Sequence, residues 1–338
     1  MKKKNINIGI ELLRMIFSFL IVVYHIHSKK KNTYILNFTL YFLGFYTSTF
    51  FLISFYFSFR SLTSKYIELS KERFKRIILP YIIWPIIIFL EKNISNYISS
   101  HQFIYPIKVL FIQLIVGRKI NSVFWFQFNL IFISLIIRII TIISPKNLSF
   151  FIFIFIALIS IYFNAKSFDI KIFSLYNISI SHSVGRLSYS IIYSLTGFFL
   201  GSFNLLRKIK QKNKIKILLF SPILLYILKE YKRLAHNFNK IHFLIIDIII
   251  TCLFLFFSSI HLDSIMNINF IMIVKKITSF TGCVYYIHIF IFNMFYSITA
   301  LIRNQDLKAC IIIYIICYLI GFIFSNIFKK SKLKYLFS

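Results

Sequence analysis

The sequence predicts an all-α, polytopic integral membrane protein of about ten transmembrane helices. Hydrophobic residues fill 59% of the 338 positions and aromatic residues 20%, well beyond the roughly 45–50% apolar share of soluble domains. The apolar residues fall in runs approaching the ~20 positions that a helix needs to cross a hydrocarbon layer of about 30 Å. The runs recur along the whole chain, leaving no room for a separate soluble domain. Residues 1–338 therefore read as one membrane domain, with a core over about 8–328 and short basic termini.

In order, the runs place helices at about residues 8–27, 38–60, 77–91, 123–143, 148–163, 185–206, 215–228, 243–261, 276–301 and 308–328. Phe103 to Val116 is shorter and reads as a re-entrant or interfacial helix. Met1 to Asn5 is basic and leads into an apolar stretch with no small-residue cleavage site, so the first run is expected to be a retained helix with a cytoplasmic amino terminus. An even count puts the carboxyl terminus on the same side. Lys65 to Arg76, Arg207 to Lys216 and the tail Lys329 to Lys334 agree with that topology, while Lys29-Lys30-Lys31 and Lys229 to Lys240 run against it. Trp84, Trp125 and tyrosines near run ends fit interfacial anchoring.

A formal charge of +31 in a soluble protein would suggest nucleic acid. Here the lysines cluster between apolar runs, where they meet anionic head groups, so membrane lipids are the expected partners and nucleic acid is not. Cys252, Cys283, Cys310 and Cys317 all sit inside apolar runs, with no Cys-x-x-Cys pair and no metal-type histidine spacing. Neither disulfides nor a metal site is expected.

Only nine carboxylates exist in the chain, and one of them, Glu11, lies inside the first apolar run with Arg14 and His25. Ionisable residues within a span are costly and mark functional sites. At about 100° per residue, Arg14 and His25 return to within roughly 20° of one face, ~16 Å apart along the axis, with Glu11 about one turn before Arg14. Two readings stand. Either Arg14 takes an anionic partner, with Glu11 as its ion-pair mate, and His25 serves as a general base, or Arg14 snorkels and His25 caps the helix end.

Glu11 to His27, ELLRMIFSFLIVVYHIH, carries an Arg-x10-His signature that resembles the opening motif of membrane acyltransferase family 3. That family comprises O-acyltransferases that modify lipopolysaccharide, peptidoglycan, capsule and other glycans. The resemblance continues in order over roughly residues 8–320. Phe50 to Phe57 (FFLISFYF) resembles an aromatic stretch followed by Ser-Gly-Phe, with Phe55 where the Gly is expected. Arg73-Phe74-Lys75-Arg76, followed by Pro80-Tyr81, is similar to the family's Arg-x-x-Arg and Pro-Tyr. Phe124-Trp125-Phe126 resembles Trp-Phe-Leu, with Gln127 in place of Leu. Gly282 to His288 resembles a late Tyr-Leu-x-His segment without the following Pro.

The resemblance implies a donor such as acetyl-CoA on the cytoplasmic side and a hydroxyl of an envelope or capsular glycan, free or lipid-linked, as acceptor. His25 is then the catalytic base, and Arg14, Arg73 and Arg76 bind the donor, because guanidinium forks suit the phosphates of coenzyme A. Glu11, Tyr81, Trp125, Tyr286 and His288 take supporting places. Direct transfer and an acyl-enzyme relay through a hydroxyl such as that of Ser54 or Tyr81 both stay open. The competing function is a transporter or flippase of glycan intermediates. Such proteins often show inverted repeats or paired helices broken by Gly or Pro; this chain has no evident repeat, eight Gly and five Pro.

Overall fold

The computed structural model describes residues 8–27, 34–63, 67–117, 122–166, 174–175, 178–203, 246–253, 267–296, 307–328, 331 and 336. They are helical almost throughout, as a chain in lipid must be, because only a helix or closed barrel pairs every backbone N–H and C=O internally. The helices are α1 (Ile8–His27), α2 (Tyr34–Thr63), α3 (Ile67–Ser100), α4 (Ile107–Val116), α5 (Trp125–Ile143), α6 (Lys146–Lys166), α7 (Ile180–Ser202), α8 (Ile268–Thr278), α9 (Thr281–Tyr296) and α10 (Leu307–Ile327). A further helical stretch covers 246–253, and a two-residue antiparallel pair joins Ser174–Leu175 to Ile178–Ser179.

Among the described residues five helices are long and apolar enough to span a membrane: Ile8–Ile26, Lys71–Ser100, Trp125–Ile143, Asn147–Asn164 and Leu307–Ile327. The pair α8 and α9 makes a sixth if it is one bent span. The expected ten is thus not reached there. The expected span at 215–228 lies outside the described residues, and that at 243–261 is described only over 246–253. The expected unbroken helix at 276–301 is instead two segments meeting at 49°. At the break the hydrogen bonding tightens, with Phe280 N–H donating to Ile277 O at 3.0 Å, three residues back, before α9 restarts.

Proline and glycine shape α3, α4 and the turn into α5. α3 carries Pro80 and Pro85 in its interior and extends past both ends of the expected 77–91. Beside it lies the short α4, opened after Pro106 and closed by Gly117 at φ +70. A Cβ at Gly117 would sit 2.7 Å from Phe128 Cβ, so the turn into α5 needs glycine for space as well as for backbone. The Tyr81 hydroxyl ties the two helices, 2.6 Å from Leu114 O and 3.2 Å from Gln113 O. Trp84 is not an interfacial anchor. It is buried with Ile26 and Ile287, and its indole N–H donates to Leu336 O at 3.2 Å, because a donor inside the bundle must find an acceptor there.

α1 packs against α2, α8, α9 and α10 and is the shared wall of the bundle. α2 lies closest to α7, where Gly197 and Gly201 form a small-xxx-small stripe. α6 turns Phe151, Phe155, Leu158 and Tyr162 outward, an apolar face suited to lipid.

A Cβ placed at Gly197 would clash with the Leu52 carbonyl oxygen, on rigid helical backbone. Gly197→Leu is therefore expected to push α7 off α2, destabilising by about 1–3 kcal/mol. A melting temperature in detergent several degrees below that of the parent protein would record it, and an unchanged value would contradict the close approach.

Candidate active site

The ionisable residues of α1 divide between two polar centres. Near its start, the Arg14 guanidinium pairs with Glu11 at 3.1 Å and donates to Thr281 Oγ1 at 3.2 Å, at the beginning of α9. Glu11 is the more sheltered partner, its side chain 15% exposed against 36% for Arg14. The arginine thus leans inward onto α9 and does not snorkel away from the bundle. One turn on, Ser18 and Tyr314 of α10 share a hydrogen bond of 2.9 Å, and the Tyr314 hydroxyl donates to Met15 O at 2.8 Å. Phe19 meets Tyr314 edge to face.

Arg73 lies in a separate pocket of hydroxyls between α2, α3 and α5. It donates to Ser58 Oγ, to Ser134 Oγ at 3.1 Å and to Ser54 Oγ at 3.3 Å, with its guanidinium over the Phe55 ring. Its Nε is buried and has no partner among the described residues. The two ion pairs among those residues join Glu11 to Arg14 and Glu72 to Lys75, so neither neutralises Arg73. Arg76, expected to bind the donor together with Arg73, is exposed. Three residues advance the helix about 300°, and this offset is enough to turn one arginine into the protein and the other out of it.

At the other end of α1, His25 faces His288 of α9, with ring centroids 5.2 Å apart and planes tilted by 41°. His288 is fully buried and its Nδ1 lies 2.9 Å from Val284 O. Arg186 of α7 reaches the same region: its field acts on both His25 and Tyr285, and its guanidinium sits 4.9 Å from the centre of the Trp125 ring. The Tyr285 hydroxyl donates to Val123 O at 2.8 Å, holding α9 against the turn that opens α5.

Gln127 and Tyr286 occupy the ground between these centres. The Gln127 amide nitrogen donates to the Tyr286 hydroxyl at 2.8 Å and to Ile77 O, one turn along α3 from Arg73, at 3.1 Å. Its Oε1 is buried without a partner among the described residues. Of the residues singled out from sequence, the structure thus brings His25 and His288 into contact, puts Trp125 under Arg186, links Glu11 to Arg14 and joins Tyr286 to Gln127. Tyr81 faces α4, where it holds backbone carbonyls.

Arg186, Thr281, Ser58 and Ser134 were not anticipated. Arg186 had a signal: it is the one Lys, Arg, Asp or Glu in α7. The argument applied to Arg14 applies to it as well, although a charge one residue inside the start of the run at 185–206 can pass for a flanking one.

The helices and these inward-facing ionisable groups define a polytopic membrane protein with separate polar centres inside its bundle. Residues 7–330 match the family model for the acyltransferase 3 acyltransferase domain, and the chain belongs to that family. It is a membrane acyltransferase. No curated protein and no solved structure matches it.

The two arginines should respond differently to removal of charge. Arg14→Met strands the sheltered Glu11 carboxylate and should destabilise by about 1–3 kcal/mol. Arg73→Met replaces a cation that no described carboxylate neutralises with an apolar chain of similar length, and the melting temperature should stay level or rise. Thermal unfolding of both variants in detergent is the check, and a large drop for Arg73→Met would mean that the fold itself needs this charge.

Proposed function

We propose that the protein is an O-acyltransferase that moves an acyl group, acetyl in the simplest case, from coenzyme A to a hydroxyl of an envelope or capsular glycan, free or lipid-linked. The observation that carries this reading is the separation of two polar centres along α1. Cationic groups lie towards one end, and a histidine pair with Arg186 lies towards the other. Donor and acceptor that approach from opposite sides of a membrane need such an arrangement. Lys65 to Arg76, Arg207 to Lys216 and the basic tail support a cytoplasmic side for the Arg14 end and for both termini in the cell membrane.

On this reading Arg73, Arg14 and the exposed Arg76 hold the phosphates of the donor. The hydroxyls of Ser54, Ser58 and Ser134 around Arg73 suit phosphate oxygens, and burial strengthens each charged hydrogen bond. The acyl end of the donor extends along α1 past Tyr286 towards His25. His25 removes the proton from the acceptor hydroxyl, whose oxygen attacks the thioester carbonyl. Arg186 stabilises the negative charge that develops on the carbonyl oxygen. Trp125, beneath Arg186, presents a flat apolar face against which a sugar ring can rest.

The test is O-acetyl content of the envelope and capsular glycans, read by proton NMR in cells with the intact protein, a deletion or His25→Ala. Deletion should remove the signals, and His25→Ala should lower them by about 10²-fold or more while leaving protein in the membrane. Arg73→Ala should raise the KM for acetyl-CoA by roughly 10-fold or more, the loss expected for charged hydrogen bonds. Glycan acylation indifferent to deletion would return the transport of glycan intermediates to first place.

A further inference from the structure

His288 is buried, as are Val284, Ile287 and Ile291 on the same helix, and a leucine there would leave no polar atom to satisfy. Its Nδ1 is 2.9 Å from the Val284 carbonyl oxygen. A carbonyl only accepts, so Nδ1 carries the hydrogen and Nε2 is left with a bare lone pair. That Nε2 is buried and has no hydrogen-bond partner among the described residues. A buried acceptor left open is costly, and one beside a second imidazole calls for an account. The centroid separation of 5.2 Å from His25 equals two ring half-widths plus one N–H···N distance of about 3 Å. The tilt of 41° is within what rotation about the last side-chain torsion of His25 can remove, since that torsion is broad.

We propose that His288 is the positioning residue for His25: its bare Nε2 accepts the N–H of His25 in the working complex, and so fixes the other His25 nitrogen as the proton acceptor. The proposal rests on the acyl-transfer reading above. The backbone carbonyl of Val284 orients His288, His288 orients His25, and His25 acts on the hydroxyl. In the step itself the acceptor O–H proton passes to the second ring nitrogen of His25 as the oxygen bonds to the acyl carbon. The carbon–sulfur bond then breaks, and the sulfur leaves with the bonding electrons and takes that proton back from His25. His288 neither gains nor loses a proton; it selects the tautomer of the base.

The experiment compares intact protein, His25→Ala, His288→Leu, His288→Asn and His288→Gln for glycan O-acetyl content in cells and for coenzyme A affinity after purification. Gln places an acceptor oxygen near the Nε2 position, and Asn keeps only a donor on the Nδ1 side. Leu and Asn are expected to lower transfer by on the order of 10²-fold, with Gln at least about 10-fold above them. Coenzyme A affinity should be unchanged in all three, because the effect is on the base and not on donor binding. Transfer by Leu at the level of the intact protein overturns the proposal, as does equal loss in Gln, Asn and Leu. If Leu does not accumulate, the Gln and Asn pair decides by the same criterion. A glycan whose acylation does not depend on the protein or on His25 overturns the acyl-transfer reading instead, which separates the two failures.

Discussion

The Arg14 guanidinium, caught between Glu11 on its own helix and Thr281 on α9, is the contact on which the remaining geometry depends. A cation inside a bundle has few acceptable positions, because it must keep an opposite charge and further acceptors within reach. Here those acceptors come from two helices, so satisfying the charge also fixes how α1 and α9 lie against each other. The histidines follow from that register. His25 lies eleven residues beyond Arg14 and His288 seven beyond Thr281, and with one end of the pair tied, the other ends meet ring to ring. The break between α8 and α9 serves the same arrangement, because it places Thr281 at a helix start directed at Arg14.

A second constraint comes from the crowding of α2 against α7. Leu52 O lies where a side chain at Gly197 would be, and Ser54 and Ser58 follow Leu52 down the same helix towards Arg73. In lipid there is no hydrophobic gain from joining two apolar helices, so close packing of small residues and shared hydrogen bonds hold them. The hydroxyl pocket around Arg73 and the placement of Arg186 on α7 both rely on this contact. Arg138 follows the same logic one layer further along α5, where it donates to Leu62 O at 2.9 Å. Its buried guanidinium borrows a carbonyl near the end of α2 to satisfy a donor.

The first helix was readable in detail. Arg14 and His25 stand eleven apart, and an α-helical period alone puts them on one face; in the structure both reach α9. The family is legible in the same residues, and the match over residues 7–330 bears the family out. What the sequence concealed was of two kinds. Break points are one: the run at 276–301 carries Thr278-Ser279-Phe280-Thr281-Gly282 near its start, but small and hydroxyl residues also occur within membrane helices, so they do not by themselves announce the turn at Ser279 and Phe280. The other is direction at short spacing. Arg73 and Arg76 read as a pair, but a fraction of a helical turn sends one to a pocket of serines and the other outward. Partners from distant segments, such as Ser134 for Arg73 or Thr281 for Arg14, are tertiary facts with no local signature.

The character of the middle follows from the two ends. Between Arg14 and His25, α1 presents Phe17, Ser18, Ile21 and Val22, and the neighbouring helices add Gln127 and Tyr286, all uncharged. A phosphate drawn into such a stretch would lose its water and gain no cation, a large penalty in a medium of low dielectric. A neutral thioester arm meets no such barrier. On the proposed reading this contrast sorts the donor by its parts: the charged nucleotide is held where the arginines are, and only the acyl end advances to the histidines. Had the cations continued along α1, the anionic portion could follow the acyl group inward, and the path would become a conduit for the whole donor. An uncharged middle between two polar ends therefore suits transfer of a group better than passage of a molecule.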